Sequence, residues 1–177
     1  MTICSVDSIC SSICSGGTPK SGVSSYYANG TIPWLNTKEV NFRSIRKTAN
    51  HITHAGLVSS SAKWVNRHTV IIAMYGATAG KAAITEIPLT TNQACCNLSI
   101  NPDKADYRYI YYWFKNNFQS ISSLANGGAQ QNLNAKSIRE LLIDLPSLDD
   151  QARVSAVLSS LDRKMELNNR INDYLAA

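Results

Sequence analysis

Four sets of residues have the types from which a site could be built. The first is Gly76-Ala77-Thr78-Ala79-Gly80-Lys81, where a lysine follows a glycine-bracketed turn. Phosphate cradles look like this, but they need one more residue between the glycines and a Ser or Thr after the lysine to hold magnesium. Here Ala82 follows, so a nucleotide site is excluded. The second set, Asn101-Pro102-Asp103-Lys104, begins like the Asn-Pro-Pro-Tyr/Phe motif of amino-methyltransferases. It lacks the aromatic ring that would stack on a flipped base, and the chain has no glycine-rich cofactor strand. The third is His51 and His54, whose spacing allows a shared helix face, with no carboxylate or cysteine at ligand spacing beside them. Last come Cys4, Cys10, Cys14, Cys95 and Cys96. An odd set without a Cys-x-x-Cys pair suits neither a disulfide framework nor a zinc site. No carboxylate pair or Ser/His/Asp set stands out for hydrolysis, so no catalytic and no metal-binding residue is expected, and the chain does no chemistry itself.

Binding is the remaining option, and the charge distribution points to a polyanion. Of the net charge of +5, residues 1–81 carry eight Lys/Arg against two acids, a net +6, and the rest of the chain carries a net −1. Lys38, Arg43, Arg46, Lys47, Lys63 and Lys81 are the candidate contacts to the phosphates of such a polyanion. Such contacts give affinity and salt dependence but little sequence information. Candidates for reading bases are Tyr75 and Thr78 at the glycine turn, Asn92 and Gln93, and the amides Gln130, Gln131 and Asn132. Asn and Gln can pair bidentately with adenine edges in the major groove. Amides are equally common in turns, and cations on solvated faces.

The elements that must position these residues follow from periodicity. A hydrophobic fraction of 44% with 16% charged residues is that of a globular chain. Val70 to Met74 is apolar on both alternating faces, which predicts a strand buried on both sides, and Ala82 to Ile84 predicts its return. A third buried strand is expected over Ala94 to Ile100, led in by Thr90 to Gln93, and a last one over Leu142 to Leu145. Residues 1–15 read as a short strand or an irregular lead-in, Ser15 to Pro19 as a turn, and Asn41 to Lys47 as an exposed, solvated segment. Helices are expected over Thr53 to Ala62 with Thr53 as N-cap, over Asp106 to Phe118 with its aromatic side in the core, and over Ala135 to Leu141. The amide-rich stretch Asn126 to Asn134 reads as a loop.

From Asp149 the texture changes. Val154, Leu158, Leu161, Met165, Asn168, Asn172 and Leu175 alternate four and three residues apart, the seam of a coiled coil. Leu167, Ile171 and Tyr174 form a second stripe, so the helix has more than one neighbour. An ordinary amphipathic helix packed on its own domain is the competing reading. No apolar run reaches the roughly 18 residues of a membrane span, and the N-terminus has no signal-peptide pattern, so a cytoplasmic protein is expected. The fold class is thus α/β (α+β), with a globular domain over 1–148 and a coiled-coil-type helix over 149–177.

Taken together, several blocks resemble one family, the DNA-specificity subunits of type I restriction-modification enzymes. They are Ser15 to Pro19, Ile32-Pro33-Trp34, Ser60 to Lys63, Ile72 to Lys81, Thr91 to Ala94, Gly127 to Asn132 and Leu161 to Asn169. The resemblance implies a target-recognition domain followed by a helical spacer. Members usually carry two of each, with the spacers packed as antiparallel helices that bind methyltransferase subunits; one of each here implies a half-subunit or fragment. Gln131 stands where the family pattern has proline. By this resemblance the chain is a non-catalytic subunit that reads double-stranded DNA, and because blocks shared by a family whose members read different sequences include scaffold residues, further readers are expected in the unmatched loops at 20–31 and 41–50. S-adenosylmethionine, ATP and magnesium belong to the methyltransferase and restriction partners, and two copies of the chain pair through the helix. An alternative is an assembly module whose helix competes for methyltransferase partners while its domain reads little DNA.

Overall fold

The computed structural model describes residues 2–126 and 133–176. The elements in chain order are β1 (Thr2–Ser5), α1 (Val6–Ile9), β2 (Cys10–Ser15), β3 (Ile32–Leu35), β4 (Arg43–Ile45), β5 (Asn50–Ile52), α2 (His54–Val58), β6 (Trp64–Val65), β7 (Val70–Ala73), β8 (Ala82–Thr85), β9 (Leu89–Thr91), β10 (Cys95–Ile100), α3 (Tyr107–Asn116), α4 (Phe118–Asn126), α5 (Ala135–Glu140), β11 (Leu142–Leu145) and α6 (Leu148–Leu175). Short 3₁₀ turns occupy Ser24–Tyr26, Thr37–Glu39 and Gly76–Thr78.

β7 is the middle of a five-stranded sheet ordered β2-β10-β7-β8-β4, and every residue of β7 and β8 is buried. The double-sided apolar pattern of Val70 to Met74 is explained by what lies on each face. Val70, Ile72 and Met74 join a core with Ile110, Phe114, Ile138 and Ile143 from the helical side. Ile71 and Ala73 join another with Leu35, Val65 and Leu89 from a second sheet ordered β5-β3-β9-β6. The domain is therefore three layers deep, helices on sheet on sheet, and its central strand has no wet face.

Several expectations are corrected. Residues 2–15 form two strands joined by the single turn of α1, and β1 pairs antiparallel with β11 in a sheet of its own. The chain start is thereby tied to the segment that launches α6, and Val6 N–H donates to the Leu141 carbonyl at 2.9 Å. Residues 41–47 are not simply solvated: β4 pairs in parallel with β8, and Ile45 is buried. Thr90 and Thr91 are no lead-in but part of β9, fully buried between β3 and β6. Their hydroxyl-bearing, β-branched side chains suit an internal strand because Thr90 Oγ1 donates to the Pro33 carbonyl and Thr91 Oγ1 accepts from Asn97. The aromatic helix stops at Asn116, and α4, unread in the sequence, follows it. His51 lies on β5 and His54 opens α2, so the pair shares no helix face.

α6 begins at Leu148, one residue before the expected 149, with Ser147 as its N-cap accepting from Asp150 N–H. Its 28 residues span about 42 Å at 1.5 Å per residue. Among the described residues no helix is long and apolar enough to cross a membrane.

Candidate nucleic-acid interface

Five loop segments converge at one end of the two sheets. β3 runs parallel to β9, and Asn92 N–H donates to the Leu35 carbonyl, which puts residues 36–41 beside residues 92–94. Met74 N–H donates to the Ala94 carbonyl, which brings in the glycine turn. Gly17 N–H donates to the Thr91 carbonyl and Trp34 Nε1 to the Gly17 carbonyl, both at 2.9 Å, which holds residues 16–18 against the same edge. Residues 61–63 complete the rim, since β6 pairs with β9 and Gly17 lies against the backbone of Ser61 and Ala62.

Gly16 and Gly17 are there because nothing larger fits. A Cβ on Gly16 would lie 2.5 Å from the Asn92 carbonyl oxygen, and one on Gly17 2.5 Å from Ser61 Oγ and closer still to the Ala62 backbone. Gly76 and Gly80 serve differently: their φ values of +79° and +84° turn the chain sharply between β7 and β8.

The sequence-derived candidates sit unequally on this rim. Lys38 and Lys63 are exposed, Tyr75 is half exposed, and Gln93 is exposed with its side-chain carbonyl accepting from Thr18 Oγ1. Thr78 Oγ1 donates to the Thr37 carbonyl and Lys81 Nζ to Asn41 Oδ1, each at 2.8 Å. Those two therefore lock the glycine turn onto the loop at 36–41. Asn92 is buried, and its Oδ1 faces the Cys95 thiol, so its side chain shapes the turn from inside. Gln130, Gln131 and Asn132 lie outside the described residues. Trp64, half exposed on the edge strand beside Lys63, went unread; an aromatic next to a lysine is the signal that could have found it.

The remaining cations lie elsewhere. Arg43, Arg46 and Lys47 run along β4 and past its far end, and line a cleft of about 1420 Å³ between β4, α3 and α6. Arg46 reaches across it to Glu166 at 2.7 Å. The candidate phosphate contacts thus form two groups, rim and cleft. The cleft's further cations, Arg67, Arg108, Lys115, Arg163 and Arg170, come from separate chain segments, and no local pattern announces them.

α6 is seated on the domain by polar groups. Gln151 is buried, with Oε1 accepting from Asp106 N–H and Nε2 donating to the Pro146 carbonyl. Asp162 accepts from Tyr112 Oη at 3.0 Å and from Lys115 Nζ at 3.1 Å. Burial and the carboxylate hold the Tyr112 hydroxyl well above its ordinary pKa, so it stays a donor. The apolar seam is not spent on this packing. Val154, Leu161, Met165 and Leu175 are 43–81% exposed, Leu167 and Ile171 about half exposed, and Leu158 partly covered.

Burial pushes the Cys10 and Cys96 thiols up to about 12, far from a nucleophilic thiolate. Among the described residues no group of three or more His, Cys, Asp or Glu is placed to hold a metal.

The family model for the type I restriction modification DNA specificity domain matches residues 2–177. The chain belongs to that family. It is 28% identical over 168 residues to the specificity subunit of type I restriction enzyme MjaIX from Methanocaldococcus jannaschii, covering 92% of this chain and 38% of that protein. It is 25% identical over 165 residues to the EcoR124I/EcoR124II specificity subunit from Escherichia coli, covering 90% and 40%. The fold matches the crystal structure of the HsdS subunit from Thermoanaerobacter tengcongensis with a TM-score of 0.69, at 18% identity over 96% of this chain and 39% of that one. The chain spans about two fifths of the length of the curated relatives it matches.

Proposed function

We propose that this chain reads one half of a bipartite duplex DNA target through its rim and docks methyltransferase subunits through the seam of α6. The observation that carries the reading is the convergence of five loops, with Lys38, Lys63, Tyr75 and Gln93 facing outward, on an edge whose backbone is fixed by sheet pairing. Readers on loops braced by a rigid scaffold are what sequence discrimination needs. The long helix supports the docking half, because exposed apolar residues along 28 residues mark a surface that a partner covers.

Restriction subunits join indirectly, and S-adenosylmethionine, ATP and magnesium are used by the partners, in the cytoplasm. Two copies paired through α6 with two-fold symmetry would read inverted half-sites at a fixed separation. The test is reconstitution with a methyltransferase partner and mapping of methylated sites for the wild type and for Gln93→Ala and Tyr75→Ala. A changed target preference supports rim reading, and an unchanged methylation map refutes it. Binding that ignores the separation of two half-sites refutes the paired arrangement.

A further inference from the structure

The cleft between β4 and α6 suits neither a small molecule nor an apolar partner. Its volume of about 1420 Å³ exceeds the roughly 300–1,000 Å³ of drug-sized pockets, which are also mostly apolar. Eight Lys/Arg line it against four Asp/Glu, a surplus of four. The carboxylates are already engaged: Glu166 with Arg46, Glu86 with Arg67, Asp162 with Lys115, and Glu39 with the backbone N–H groups of Asn36 and Ala49. Arg108 is held by Asp106 just outside.

Arg43, Lys47, Arg163 and Arg170 are left without a carboxylate. Arg43 and Arg163 use only Nε, on the carbonyls of Glu39 and Ser159, while Lys47 and Arg170 have no hydrogen bond or ion pair among the described residues. Two of the four stand on the β4 wall and two on the α6 wall. Arg163 and Arg170 are two helical turns apart, about 10.5 Å, which spans about three nucleotides at 3.4 Å per nucleotide of one strand. On α6 they point to the side opposite Val154 and Leu161, by the 3.6-residue period, while Met165 borders the cleft itself.

From this geometry we infer that the cleft is a clamp for a nucleic-acid phosphate backbone, with α6 as one of its jaws. The inference rests on the proposed DNA reading and extends it: the helix grips phosphate on one side while its apolar seam remains open to a partner on the other. Arginine guanidinium groups match phosphate oxygens in fork geometry, and cations on both walls can track a polymer that runs through. Arg46–Glu166 crosses the mouth, and an exposed pair of this kind is weak enough to exchange for phosphate.

The test is a salt titration of duplex binding by the full chain, read by fluorescence anisotropy, on two duplexes of unrelated sequence. In Lys47→Ala/Arg170→Ala, two contacts are lost, so the slope of log K against log salt should shallow by about 1.8, at about 0.9 per phosphate. Between 50 and 200 mM salt the variant should then lose about 12-fold less affinity than the wild type, equally on both duplexes. Glu166→Gln should strengthen binding, because a like charge leaves the mouth. Slopes and affinities unchanged in both variants would overturn the clamp. Loss of binding to a poly-glutamate competitor with duplex binding intact would overturn it in favour of an acidic protein segment. A wild-type chain that binds no duplex at all would instead sink the DNA reading beneath it.

Discussion

Gly17→Ala tests how the rim is held together. A Cβ there would sit 2.5 Å from Ser61 Oγ and nearer still to the Ala62 backbone, where ordinary contacts begin at 3.4 Å. Ser61 could rotate away, but the backbone of Ala62 leads directly into β6 and cannot. Overpacking of this kind costs about 1–3 kcal/mol. The displacement also strains two hydrogen bonds, from Gly17 N–H to Thr91 and from Trp34 Nε1 to Gly17, each worth about 0.5–1.5 kcal/mol. The expected loss is about 2–6 kcal/mol, a large part of the roughly 5–15 kcal/mol that holds a domain folded. With a urea m-value of about 2 kcal/mol/M, the unfolding midpoint should fall by about 1–3 M. Gly22→Ala is the internal control: nothing lies within 4 Å of its added Cβ, so its stability should stay within about 0.5 kcal/mol of wild type. A Gly17→Ala midpoint equal to wild type, or an equal fall in both variants, would refute the close-approach reasoning.

Tyr112→Phe removes the hydroxyl that holds Asp162 and should cost about 1 kcal/mol at pH 8 by urea unfolding. Because the folded-state pKa of Tyr112 is raised above its ordinary 10.0, wild-type stability is complete below pH 10 and is lost as pH rises beyond it, and the variant should lose less over that range. Leu161→Asp should leave the isolated chain's stability within about 0.5 kcal/mol, since the side chain is half exposed, while abolishing co-purification with a methyltransferase partner. Iodoacetamide at pH 8 should leave Cys10, Cys95 and Cys96 unmodified in the native chain, by mass spectrometry, and react with all five cysteines in denaturant.

Much of the fold was legible where a pattern is local. The double-sided apolar run at Val70 to Met74 identified the central strand, Thr53 the N-cap of α2, and the four-three spacing after Asp149 the long helix with its outward seam. These are properties of consecutive residues, and periodicity and capping reach no further than a few turns. β9 was missed because Thr90 and Thr91 look polar until Pro33 and Asn97 supply partners from other strands. The fate of the polar candidates was equally non-local: the same residue types end buried at Asn92, locked at Lys81 and exposed at Gln93.

By itself, then, the sequence determined the family, the absence of a nucleotide-cradle or methyltransferase motif, and a basic first half followed by a long helix. Tertiary structure decided which cations act together. Arg43 and Lys47 meet Arg163 and Arg170 only because β4 pairs with β8 and α6 is seated on α3 by Gln151 and Asp162. Charge can be counted along a chain, but the potential of a cleft depends on distances between segments more than a hundred residues apart, and only packing sets those.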